Sequence, residues 1–165
     1  MGPPVFVAAA FCATLGCGLM AGVFLAFSSF VMSALARLPA PQGIAAMQSI
    51  NIRAITPVFM SVFLGTAVVC VFLIAAALIS PPASGAEYLI GGGAVYLVGT
   101  FLVTIVFNVP RNNQLAAADP QTETAARLWS EYLRSWTAWN HVRTVASLAA
   151  TGILTFWIYR HALVG

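Results

Sequence analysis

Lysine is missing altogether from this chain of 165 residues, and only 7% of its residues carry a charge. Soluble domains average about 25% charged residues, so a surface built for water is excluded at the outset. The formal charge of +3 comes from arginine alone. No basic run exists that would track a phosphate backbone, so nucleic acid is not an expected partner. Acids are as scarce: Glu87, Asp119, Glu123 and Glu131 all fall in or beside loops, which leaves no carboxylate–histidine set for a di-iron site in a bundle. Cysteine is limited to Cys12, Cys17 and Cys70, all inside apolar runs. Their spacing fits neither a zinc site nor a redox CxxC, and they read as small buried thiols. No metal and no cofactor is expected.

What is abundant is apolar: 61% of residues, with a mean hydropathy of +0.93, against roughly 45–50% in soluble domains. The chain reads as all-α, an integral membrane four-helix bundle, with the lipid bilayer as its first partner. Residues 1–165 form a single four-span domain, with spans at about 5–35, 57–79, 88–109 and 137–160. Met1-Gly2-Pro3-Pro4 has no basic n-region, so the first apolar run is expected to stay as a span. Gly18 and Gly22 form a GxxxG, with Gly16 and Ala21 beside them; they suit a close helix–helix contact or a groove along the glycine face. Ser28 and Ser29 can bond back to their own helix carbonyls.

The connections are informative. Residues 36–56 are polar, and their middle, Gly43 to Arg53, fits a helix lying at the interface. Pro57 suits the first turn of span two. Ser80 to Gly85 is a short turn that pairs spans two and three as an antiparallel hairpin. Pro110 marks the expected end of span three. Asp119, as N-cap, and Pro120 then open a polar helix that precedes the fourth span and runs into it, ending near Arg160. Six of the seven arginines fall in loops 36–56 and 110–136 or next to them. The positive-inside rule therefore puts these loops in the cytoplasm, both termini outside, and the chain in a bacterial inner (plasma) membrane.

Antiparallel connectivity gathers polar residues at one membrane face. Gln48, Asn51 and Arg53 precede span two; Asn108, Arg111 and Asn112 end span three; Trp136, Trp139, Asn140, His141 and Arg143 begin span four. Polar groups in lipid are costly and usually face the bundle or a wet cavity, although an arginine near a span end can also snorkel. Trp129, Tyr132, Trp136, Trp139, Asn140 and Arg143 share one helical stripe. Such a stripe is either packing, an interfacial belt, or a substrate wall. His141 points nearly opposite to Arg143, so on a straight helix the two do not share a pocket.

Asn108-Val109-Pro110-Arg111-Asn112-Asn113-Gln114-Leu115, followed by Trp129-x-x-Tyr132-x-x-x-Trp136-x-x-Trp139-Asn140-His141-Val142-Arg143-Thr144, resembles the anthrone oxygenase-like membrane family, otherwise grouped as a domain of unknown function. Gly22, Phe24, Phe27 and Ser28 resemble its first span, and Met47-Gln48-x-x-Asn51 its segment before span two. The resemblance implies a cofactor-independent monooxygenase that oxidises polyketide anthrones to anthraquinones with dioxygen.

Three functions are compatible with these residues. The first is an oxidoreductase of this type acting on a lipophilic aromatic (phenolic or polyketide) small molecule. There His141 suits the base, histidine being the side-chain type that exchanges a proton near neutral pH, and Arg143 or Arg111 the oxyanion. Asn51, Asn108, Asn112 and Asn140 would orient the substrate, and Trp136 and Trp139 would stack on it. The second is a non-catalytic membrane protein that binds or transports a hydrophobic anionic molecule. The third is a haem-binding bundle using His141. The glycine faces also permit a homo-oligomer.

Overall fold

A backbone inside hydrocarbon has no water to bond, so long apolar runs close their hydrogen bonds within helices. The computed structural model describes residues 3–82 and 84–164; among them there are helices and turns and no strand. α1 (Pro3–Ala26) continues through a π-helical segment, Phe27–Val31, into α2 (Met32–Leu35). α3 (Ala40–Arg53) is the helix expected within the first connection, and α4 (Pro57–Ile79) follows it. α5 (Ala86–Tyr96) leads through two π-helical segments, Leu97–Leu102 and Thr104–Asn108, into α6 (Val109–Ala116). α7 (Glu123–Val164) runs unbroken for 42 residues. Four helices are long and apolar enough to cross a membrane: Pro4–Leu35, Pro57–Ile79, Ala86–Ala116 and Glu123–His161.

Local chemistry explains most of the boundaries. The Thr56 hydroxyl accepts from the Phe59 N–H at 3.2 Å, and Pro57 occupies the first turn of α4. Gly85 takes φ +79° before α5, a left-handed conformation that glycine adopts without steric cost. Two boundaries differ from the sequence expectation. The helix that carries span three does not stop at Pro110 but continues to Ala116. Pro110 falls in the first turn of α6, just after the π-helical register gives way to α, where its missing N–H is tolerated. The long helix is capped by Thr122 and not by Asp119: Thr122 Oγ1 accepts from the Ala125 N–H at 3.2 Å. Asp119 Oδ1 accepts instead from the Gln121 N–H at 3.0 Å, closing a turn on its own backbone two residues on.

α7 packs against α1 and α5, and α4 closes the ring by touching the same two helices. Inside lie Phe6, Met20, Leu73, Tyr96, Leu154 and Trp157, while Val58, Val68, Leu78 and Ile79 of α4 face outward. Cys17 and Cys70 are buried as expected, but Cys12 is exposed, its turn of α1 facing away from the ring. Along α1 the tight glycine contact is made by Gly16, where a Cβ would run into Thr66 Oγ1; a Cβ on Gly18 would only touch Thr151, at 3.8 Å, and around Gly22 nothing lies within 4 Å. The GxxxG pair therefore does not form the contact.

A second core stands at the loop-bearing end. Met32 and Leu35 of α2, Ile44 and Met47 of α3, Leu115 of α6 and Trp129 of α7 pack together there. Gln48 Nε2 fastens it by donating to Leu115 O at 2.8 Å and Ala118 O at 3.0 Å. The polar span ends lie where this cap meets the bundle.

Candidate functional site

Four residues of α7, spaced three or four apart, carry the junction: Tyr132, Trp136, Asn140 and Arg143 are all buried. Helical spacing alone stacks them along one face. The ring and polar groups opposite come from the first and third spans and from α6.

Arg143 is the centre, only 5% exposed. Its Nη2 donates to Asn140 Oδ1 at 2.6 Å and its Nη1 to Thr104 Oγ1 at 3.3 Å. The guanidinium carbon lies 4.3 Å from the Phe24 ring centroid and 5.0 Å from that of Trp136, close enough for attraction to both ring faces. Its Nε is buried with no hydrogen-bond partner among the described residues. No carboxylate reaches it: the one ion pair among the described residues is the exposed Arg127–Glu123 contact on α7. A cation this deep ordinarily has an anionic counterpart.

Asn140 holds Arg143 in place. It is fully buried, and its Nδ2 donates to Phe24 O and to Ser28 Oγ, both at 2.7 Å. Ser28 Oγ also pairs with Thr144 Oγ1 at 3.2 Å. Ser29 does bond back to its own helix, at Leu25 O, but Ser28 turns across to α7. At the capped end Asn112 Oδ1 accepts from both the Tyr132 hydroxyl and the Trp136 Nε1, each at 2.8 Å. Asn108 Nδ2 donates to Trp136 O at 3.3 Å, leaving its Oδ1 buried without a partner among the described residues. Asn51 of α3 lies beside Tyr132, and its Nδ2 is likewise unpartnered.

Of the residues singled out in the sequence, the structure brings together Asn108, Asn112, Trp136, Asn140 and Arg143, with Asn51 at the rim. Arg111 stands apart: Nε donates to Ser135 Oγ at 3.0 Å and Nη1 to Phe107 O at 2.7 Å. It lines a polar cleft of about 190 Å³ between α6 and α7, with Gln114, Glu131 and Tyr132. Trp139 is half-buried and lies flat on Phe107, centroids 3.6 Å apart and planes 8° apart. His141 is exposed on the face of α7 turned away from Arg143, as one hundred degrees per residue requires. Sequence reasoning gave no part to Thr104 or Phe107 and read Ser28 as local. The spacing Thr104–Asn108–Arg111, at steps of four and three, was the available signal for Thr104.

The residues have the means to bind an anion and little means to pass on a proton. A guanidinium with one unpartnered N–H lies between two aromatic rings, and the junction also holds an unpartnered acceptor, Asn108 Oδ1, and an unpartnered donor, Asn51 Nδ2. Among the described residues no group of three or more His, Cys, Asp or Glu comes together. None of the curated proteins matches the chain, and no solved structure matches it either. The family model described as anthrone oxygenase does match, over residues 59–153. That stretch covers more than half of the chain and holds Asn108, Asn112, Trp136, Asn140 and Arg143, while Phe24, Ser28 and Asn51 lie before it. The chain belongs to the anthrone oxygenase family.

Proposed function

We propose that the protein is a membrane-embedded oxygenase that converts a flat, lipophilic phenolic substrate of the anthrone kind into the quinone, using dioxygen. The observation that supports this most is Arg143: a cation in the bundle whose partners within the chain are all neutral. An enolate oxygen is the anion the reaction would offer it. Loss of a proton from the methylene opposite the carbonyl gives the enolate. Its carbon bonds to dioxygen and takes up a proton as a hydroperoxide, and loss of water leaves the second carbonyl. One oxygen atom stays in the product and the other departs as water.

In this reading Arg143 and the Asn51 amide favour the charged oxygen, and Asn108 Oδ1 accepts from a hydroxyl of the substrate. Trp136 and Phe24 supply ring faces. His141 stands on the wrong side of α7 to share this site, so this reading takes water, not His141, as the proton acceptor. Stabilising the enolate is the catalytic act. The exposed Arg37, Arg53, Arg127 and Arg134 at the loop-bearing end support loops 36–56 and 110–136 lying in the cytoplasm.

Because the network contains no base, a second reading keeps the anion site and drops the chemistry: a subunit that binds or carries a hydrophobic anion. The haem alternative gains no support, since His141 and His161 stand ~30 Å apart along α7. Membranes carrying the protein, given anthrone under air, test the first reading. Quinone formation matched one-to-one by oxygen uptake supports it. Saturable anthrone binding without oxygen uptake refutes it in favour of the second.

A further inference from the structure

Neither of the two main cavities described reaches Arg143. The cleft beside Arg111 lies on the loop side, and the other, of about 100 Å³, lies at the opposite end beside Trp157 and His161. Ligand pockets are usually about 300–1,000 Å³, so a three-ring ligand enters only by parting a wall. The hydrogen bonds show which wall parts most easily. Towards span one, Asn140 closes the seam with two bonds of 2.7 Å. Towards the cap, Asn112 closes it with two of 2.8 Å. Towards span three, at the depth of Arg143, the side-chain bonds are longer, two of 3.3 Å and one of 3.4 Å from Thr100 Oγ1 to Arg143 O. Shorter bonds, Thr100–Ser147 at 2.8 Å and Arg111–Ser135 at 3.0 Å, close the seam only beyond either end of this stretch, and within it lies the Phe107–Trp139 stack.

That stack has the geometry of a filled slot. Two flat rings lie parallel at 3.6 Å, and both are half-buried at the surface of the bundle. The Trp139 indole N–H makes no hydrogen bond among the described residues, so nothing but ring contact holds it. Trp139 precedes Arg143 by one helical turn, and the two side chains are neighbours on α7. The wall behind Phe107 is the π-helical stretch Thr104–Asn108, a backbone form found often at functional sites and able to return to α register.

We propose that Phe107 and Trp139 form the binding slot for the substrate's ring system. It opens to the bilayer between the third and fourth spans, and the two rings lie on each other until a flat aromatic parts them and takes up both faces. The ligand slides in edge-first from the lipid, stacks on Phe107, and brings its carbonyl oxygen to Arg143. The slot takes planar fused aromatics and rejects bent or saturated rings of equal hydrophobicity. This rests on the oxygenase reading only for the identity of the ligand, and the slot is testable by binding alone.

The test uses the full chain in lipid nanodiscs, with anthraquinone as a binding probe that needs no turnover and anthrone as the substrate. Removing one flat face by Phe107→Leu should weaken anthraquinone binding and raise KM for anthrone by roughly tenfold, with the larger effect on KM and the smaller on kcat. Trp139→Phe, which keeps a flat face, should restore most of the affinity that Trp139→Leu loses. Phe30→Leu, on the lipid face elsewhere, serves as the control and should change neither. Equal melting temperatures across the set exclude simple misfolding. Unchanged anthraquinone affinity in folded Phe107→Leu overturns the slot, as does a fall in kcat at constant KM. If the wild-type protein binds anthraquinone and the substitutions weaken it while anthrone is never oxidised, the oxygenase reading fails and the slot stands.

Discussion

Arg143→Met separates a cation kept for the fold from one kept for a ligand. The thioether stem fills most of the volume of the arginine stem, so no large cavity opens. What is lost is the donor to Asn140 Oδ1, bonded at 2.6 Å; leaving that oxygen buried and unpaired costs about 1–3 kcal/mol. The two ring contacts add about 0.5–2 kcal/mol each. Against this, the substitution removes a buried charge with no anionic partner among the described residues, whose desolvation costs several kcal/mol. These terms nearly cancel, and a change of 1 kcal/mol moves the melting temperature of a chain this size by about 2–4 °C. The melting temperature in detergent should therefore shift by less than about 6 °C in either direction. Turnover behaves otherwise: removing one preorganised oxyanion donor typically costs about 10²–10³ in kcat. Stopped-assay quinone formation read beside a thermal melt gives both quantities. Turnover within about threefold of wild type refutes the role given to Arg143. A melting temperature lower by 15 °C or so shows instead that the guanidinium serves the fold.

Three further outcomes follow from the same geometry. Asn140→Ala removes bonds to Phe24 O, Ser28 Oγ and Arg143, and should destabilise by about 2–4 kcal/mol, lowering the melting temperature more than Arg143→Met does. His141→Ala should leave anthrone turnover within about threefold of wild type, whereas a true general base would cost about 10²–10⁴; a loss of that size returns the proton-accepting role to His141. Gly16→Ala drives a methyl into Thr66 and should cost about 1–3 kcal/mol. Gly22→Ala, facing open space, should be neutral or stabilising by up to about 1 kcal/mol; equal effects of the two would show that the first and second spans do not meet at Gly16.

The span count, the helix in the first connection and the long final helix were legible because hydrophobic length and helical period report on single helices. Burial of Arg143 and Asn140 on one face of α7 was legible for the same reason, as was the outward turn of His141. What the sequence withheld depends on neighbours. Gly22 sits in a familiar motif yet faces open space, while Gly16 makes the tight contact with another helix, because the motif does not say which way its face points. Pro110 carries a strong helix-ending signal, and only the π-helical register before it lets the chain pass through. Ser28 has a carbonyl of its own within reach and bonds instead to α7, a choice made by the approach of Asn140. Phe107 is one aromatic among eleven phenylalanines until Trp139 is seen lying on it.

The 42 residues of α7 make a rod of ~63 Å, about twice the ~30 Å hydrocarbon thickness of a bilayer. Counting back from its far end, Arg143 lies ~31 Å along that rod; a bilayer that begins at that end puts it at the level where acyl chains give way to headgroups. An amphiphile with a flat greasy body and one oxygenated edge comes to rest at that same level by partitioning alone, already oriented with the edge outward. On the proposed reading the lipid performs part of the substrate selection before any side chain is touched. Acyl-chain length, which sets the level at which such a molecule floats relative to the guanidinium, becomes a determinant of turnover in its own right.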